Sequence, residues 1–185
     1  TIRTIAKAQG AAPQGGSSSA PSTVAQDHPG VVALRSALGV NGWIGAATSG
    51  VQASTKGGVF QRFKHGVGYW SPATGAQFVG EPVLSAWGGY GYQTGSMGYP
   101  RSGGVAGIDG SRHQIFEGGI AYWRPGGRVS FIHGSILSAW GASGWERSKV
   151  GLPTGRAVRQ ANGTMTQTFE KGSISVAPNG KVTIR

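Results

Sequence analysis

Apolar residues fall into two alternating periods along the chain. Behind Asp27-His28-Pro29, residues Val31, Val32, Leu34 and Leu38 recur at helical spacing and stop at Gly39. This predicts a helix with Asp27 as N-cap, a first-turn proline and a glycine stop. The signal returns, shorter, as Val83, Leu84 and Trp87 behind Glu81-Pro82, and as Ile136, Leu137 and Trp140. Each such helix has roughly two to three turns. Between them the period changes to two. Val59, Gln61 and Phe63 oppose Phe60 and Arg62, the pattern of a strand. Glycines at 66, 119 and 172 turn the chain into a second strand at Val67–Tyr69, Ile120–Tyr122 and Ile174–Val176. Turns at Pro72, Pro125 and Pro178 lead to short third strands through Phe78-Val79, Phe131-Ile132 and Val182–Ile184.

These elements repeat in register. Phe63, Phe116 and Phe169 are each separated by 53 positions, and the same displacement relates Phe78 to Phe131 and Trp87 to Trp140. Ser36-Ala37-Leu38-Gly39 precedes Ser85-Ala86-Trp87-Gly88 by 49, so the first copy lacks four residues after its helix. The expected fold is α+β and strand-rich. It consists of three pseudo-symmetric repeats, each a short helix plus a small antiparallel meander, packed as a compact array or ring. The units run over about 31–79, 80–132 and 133–185. A single copy should not fold alone, because its apolar face needs a neighbour.

Residues 1–30 carry a Gly/Ser/Pro-rich stretch with almost no large apolar side chain, the composition of a linker or tether. With no methionine at Thr1 and no signal pattern, the chain reads as a piece of something longer. If this stretch is ordered it needs a surface to lie on, and another protein chain that holds it is then an expected partner.

The 185 residues suit one domain with a real core, and 35 glycines point to many tight turns. Cysteine is absent, which excludes disulfides and thiolate metal sites. No apolar run is long enough to span a membrane. Seventeen basic against six acidic residues give a formal charge of +11, so a polyanion such as wall polymer, lipid headgroup or nucleic acid is a plausible neighbour.

Met97-Gly98-Tyr99-Pro100 and Val150-Gly151-Leu152-Pro153, each followed by Phe-x-x-Gly-x-Ile-x-Tyr-Trp-like and Pro-x-x-Gly elements, resemble the LGFP repeat family over about residues 31–185. The first copy departs with Ile44-Gly45-Ala46-Ala47, the third has lost the Tyr-Trp pair, and Arg101 or Arg156 replaces the acidic residues usual after the proline. The resemblance implies a secreted, cell-wall-associated accessory region of the kind appended to actinobacterial mycolyltransferases and amidases. It implies attachment to wall polysaccharide rather than catalysis.

The residues themselves do not point to an enzyme. Six scattered carboxylates make a weak glycosidase, and Glu117 with Glu170 reads as strand-end surface charge. His28, His65, His113 and His133 have no ligand spacing, and no nucleophile elbow is present. No catalytic residue, metal or cofactor is therefore expected.

Binding has better candidates. Adjacent strand residues face opposite ways, so in Tyr69-Trp70 and Tyr122-Trp123 one ring should point inward and one outward. Trp70 and Trp123 are expected in the core, and Tyr69 and Tyr122 stand open between core and a sugar-stacking groove. Tyr90, Tyr92 and Trp145, large rings among glycines in loops that differ between copies, are the first choice for ligand contact. Arg62, Arg112, Arg124 and Arg147 could meet wall phosphate or carboxylate groups, each contact weak and salt-sensitive. Arg and Lys beside aromatics also describe a single-stranded nucleic-acid groove, but no such motif is present and nucleic acid is not favoured as a partner.

The expected function is that of a non-catalytic module binding a cell-envelope polysaccharide, arabinogalactan or peptidoglycan, within a larger exported protein. Two alternatives stand beside it: a structural or interaction component of a surface or phage assembly, and the accessory end of a wall hydrolase or acyltransferase whose catalytic domain lies upstream.

Overall fold

The computed structural model describes residues 24–185; the linker expected over 1–30 lies mostly outside the described residues. Three helices alternate with three four-stranded antiparallel sheets. Helix α1 (Pro29–Leu38) precedes β1 (Gln52–Ala53), β2 (Val59–Phe63), β3 (Gly66–Ser71) and β4 (Gly75–Gly80). Helix α2 (Val83–Gly88) precedes β5 (Val105–Ala106), β6 (Arg112–Ile115), β7 (Gly119–Trp123) and β8 (Ser130–His133). Helix α3 (Gly134–Ala142) precedes β9 (Val158–Arg159), β10 (Met165–Phe169), β11 (Gly172–Val176) and β12 (Val182–Ile184). Within each sheet, strand order follows chain order.

Local chemistry differs from expectation at three points. The N-cap of α1 is His28, whose Nδ1 accepts from the Gly30 N–H at 3.0 Å, and not Asp27. Gly39 ends α1 in right-handed rather than left-handed geometry. Each meander also has four strands, not three. The extra member is a two-residue edge strand hidden in a Gly/Ser/Thr-rich stretch, paired for example through Ala53 with Val59.

Phe63, Phe116 and Phe169 occupy equivalent places: all three are buried, and each bridges backbone to Ala47, Pro100 or Pro153 in the preceding loop. Residues 44–47, 97–100 and 150–153 are thereby pinned to the end of the second strand. Glu117 and Glu170 are part of this brace rather than idle surface charge. Their carboxylates accept from the N–H of Tyr99 (2.9 Å) and Leu152 (3.1 Å).

Both faces of a sheet are covered. Trp87 of α2 lies between Tyr69 of the first sheet and Phe116 of the second, with ring centroids 5.0 Å from each. Trp140 of α3 repeats this between Tyr122 (5.1 Å) and Phe169 (6.0 Å). Alternate strand residues therefore go to different cores: Ala121 and Trp123 pack toward α2, and Tyr122 packs toward α3. This corrects the expectation that one ring of each Tyr-Trp pair points outward. A second link is polar. Gln114 and Gln167, both buried, donate to the carbonyls of Phe78 (3.0 Å) and Phe131 (2.9 Å) in the preceding sheet.

Candidate functional site

The loops after the helices and the loops before the edge strands meet between sheets, and the two meetings differ. Between the first and second sheets lies an open cleft of about 370 Å³. Asn41 and Trp43 come from the loop after α1. Phe78 and Gly80 lie in β4, Glu81 follows it and Val83 opens α2. Gly103 and Gly104 precede β5, and Arg112, Gln114, Trp123 and Pro125 come from the second sheet and its turn. Trp43 is 52% exposed. Its ring lies across Gly80 so closely that a Cβ there would be 2.7 Å from it, so glycine is needed for this approach. Trp123 is only 8% exposed yet also lines the cleft. On the equivalent Trp70, the start of α1 intervenes: the His28 ring packs edge-on at 5.6 Å, and a Cβ on Gly30 would meet the indole.

Polar groups converge on the same cleft. The Arg112 guanidinium is exposed and donates to the Gly104 carbonyl at 3.0 Å, which fixes it at the rim. The Glu81 carboxylate accepts from Ser85 Oγ (2.7 Å) and the Ser85 N–H (3.2 Å) at the start of α2. Gln114 is held by bonds to the Phe78 and Ser102 carbonyls. Two indoles, a guanidinium, a carboxylate and amides around one cleft form a site for a ligand with apolar faces and hydroxyl edges.

Between the second and third sheets the corresponding positions are filled by the chain itself. By the repeat displacement Tyr90 stands where Asn41 does, and Arg156 where Gly103 does. Tyr90 packs on Phe131 at 4.8 Å, and the Arg156 guanidinium sits 4.0 Å above the Tyr90 ring while donating to the Gly89 carbonyl at 2.7 Å. His133 lies beneath, 6.2 Å from Tyr90 by ring centroid. Burial, and secondarily the Arg156 charge, lower its pKa from the ordinary imidazole value.

The contact residues expected from sequence are scattered by this arrangement. Tyr69 is fully buried, wedged between Phe60 and Trp87, and cannot stack on a ligand. Tyr122 is likewise a core ring. Its phenol is held protonated well above the usual tyrosine range by burial and then by the Glu146 carboxylate, to which it is hydrogen-bonded. It also borders a smaller pocket of about 180 Å³ with Arg124, Arg128 and Pro153. Tyr90 and Tyr92 are half-buried, not free rings. Tyr92 and Trp145 are not outside the repeated framework but 53 positions apart within it. Each sits in left-handed backbone and packs edge-on against its helix tryptophan, Trp87 at 5.6 Å or Trp140 at 5.7 Å. Trp145 remains 46% exposed.

Among the arginines, Arg62 lies partly buried with its guanidinium 5.8 Å from the centre of the Phe60 ring. Arg124 is engaged by Glu170 (3.0 Å) and the Asp109 carbonyl. Arg147 is exposed in the loop after α3. Only Arg112 reaches the open cleft. Sequence reasoning missed Trp43, although it precedes Tyr92 by the 49 positions that relate the first two helices. Among the described residues, no group of three or more His, Asp and Glu side chains is arranged to hold a metal ion, and no helix is long and apolar enough to cross a membrane.

The LGFP repeat family matches residues 44–95 and 97–148 in tandem, more than half of the chain, and the protein belongs to that family. Each match starts at a pinned loop, runs through a sheet and closes on the next helix with its ring-bearing turn, so the family unit is sheet then helix. The LGFP repeat is a repeat domain and not a catalytic one. None of the curated proteins matches. Among solved structures the chain is similar to one described as "Streptogramin B lyase structure", at 12% identity and a TM-score of 0.18. That alignment covers 72% of this chain and 38% of the other, and a likeness so slight supports no argument.

Proposed function

We propose that this chain is a non-catalytic module that binds a cell-envelope polysaccharide, arabinogalactan or peptidoglycan, in the cleft between its first and second sheets. In this reading residues 31–185 form a compact array or ring of three units, residues 1–30 tether it, and the parent protein is secreted and associated with the cell wall. LGFP repeats occur in cell-surface proteins, which supports a repeat module working at the envelope.

The observation that carries the proposal is the half-exposed Trp43, which lines, together with Trp123 and Arg112, one open cleft. The half-exposed indole over Gly80 presents a flat apolar face to solvent, and pyranose and furanose rings offer C–H faces to such a surface. The +11 charge supports retention near an anionic wall, with salt weakening that component.

Co-sedimentation with purified arabinogalactan and peptidoglycan tests the reading. Wild-type protein is expected in the pellet with at least one of them, and Trp43→Ala and Arg112→Ala in the supernatant. Equal retention of both variants and wild type would remove the cleft from the account.

A further inference from the structure

We infer that the Phe131 surface beneath Tyr90, between the second and third sheets, is a second glycan site, closed by a latch made of Tyr90 and Arg156. The inference rests on the reading of the first cleft for its ligand class, but it makes its own demand on the structure.

The two clefts share a plan. Phe78 and Gly80 of the first correspond to Phe131 and His133 of the second, and Gln114 corresponds to Gln167, which repeats its bonds. The walls differ, with Tyr92, Met165 and Val176 in register with Trp43, Arg112 and Trp123, and what stands in the opening differs as well. In the first, Asn41 and Gly103 leave it empty; in the second, a flat hydroxyl-bearing ring lies on Phe131, capped by a cation. Tyr90 thus covers Phe131 with one flat face and one hydroxyl edge, the two features a sugar ring would bring to that place.

The latch is weakly made. The Tyr90 hydroxyl is buried with no hydrogen-bond partner, an arrangement that favours leaving over staying. Arg156 is exposed and is held by one carbonyl and one ring face, a contact of the weak, solvent-accessible kind. A hydroxylated ligand that supplies the missing partner and takes the Phe131 surface competes directly with Tyr90. The class expected is a neutral oligosaccharide, whose apolar ring face and hydroxyl edge match what Tyr90 presents to Phe131.

The experiment follows the His133 imidazole and Phe131 ring signals by NMR while soluble arabinogalactan oligosaccharides and muramoyl disaccharide are added. Three proteins are compared: wild type, Arg156→Gly, and Tyr90→Asn/Arg156→Gly. Arg156→Gly removes an exposed side chain and leaves Tyr90 on Phe131, so it keeps the fold if the double variant does not. The expected result is a saturable shift of the His133 signal, at least tenfold tighter in the variants than in wild type. Trp43 reports the first cleft in the same titration. A His133 response without a Trp43 response sustains the second site and removes the first. A Trp43 response with no His133 response in either variant overturns the latch while leaving the first cleft standing. Silence at both overturns both.

Discussion

Gln114 Nε2 lies 3.0 Å from the carbonyl oxygen of Phe78 and donates to it, carrying a hydrogen bond from the second sheet into the first. The same amide nitrogen also donates to Ser102 at 2.8 Å, and Gln167 repeats both bonds one unit later, to Phe131 and Gly155. A buried amide that ties its own loop and the neighbouring sheet sets the spacing of the units, and with it the width of the cleft above Phe78.

Replacing Gln114 by Leu removes a donor from two acceptors in a dry interior, which costs about 2–3 kcal/mol. Urea unfolding is expected to show that loss for Gln114→Leu and Gln167→Leu alike. An unchanged midpoint in both would show that water or backbone adjustment satisfies the carbonyls and that the strap is dispensable.

Trp87 and Trp140 are the apolar counterpart, each filling the space between one sheet's tyrosine and the next sheet's phenylalanine. Truncation to alanine should destabilise by about 3–5 kcal/mol, the range for emptying a large aromatic site. Trp145→Ala removes a ring that is half in water and is expected to cost about 1 kcal/mol, well below the core value. Thermal melts of the three variants check this order. A Trp145 loss as large as that of Trp140 would mean that the loop ring is core.

His133 makes stability pH-dependent. Burial and then Arg156 hold its folded pKa below the ordinary imidazole value of about 6.5. A group with a depressed cationic pKa binds fewer protons folded than unfolded. Stability is therefore undiminished above pH about 6.5 and falls as pH drops from there toward the folded pKa. His133→Gln is expected to flatten this decline below pH about 6.5, as read by urea midpoints. Parallel profiles for variant and wild type would show that His133 stays solvated in the folded protein.

Much of the fold was legible because repetition and local period agree. The 53-residue spacing of Phe63, Phe116 and Phe169 and the switch from helical to alternating pattern located the helices and the main strands. The edge strands were not visible, since Gln52-Ala53, Val105-Ala106 and Val158-Arg159 are too short to show a period and pair only through backbone. The Tyr69 and Tyr122 environments were half-legible: alternation gave the right faces, but nothing local says that a helix covers each face. The cleft was hidden for a different reason. It depends on Asn41 standing for Tyr90 in one loop and Gly103 for Arg156 in another, and the four-residue gap after α1 obscures the first correspondence while only the fold brings the two loops together. Gln61, Gln114 and Gln167 stood in register throughout, yet polar residues in a strand read as solvent-facing until a buried carbonyl is placed opposite them.

The indole N–H region of a two-dimensional NMR spectrum tests the central claim most directly, because the six tryptophans sample every environment at issue. On titration with soluble cell-wall oligosaccharides, the Trp43 and Trp123 signals are expected to shift together and saturate, while those of Trp87 and Trp140 stay in place. Shifts confined to Trp145, or none at Trp43 at saturating oligosaccharide, would contradict the assignment of the cleft as the binding site.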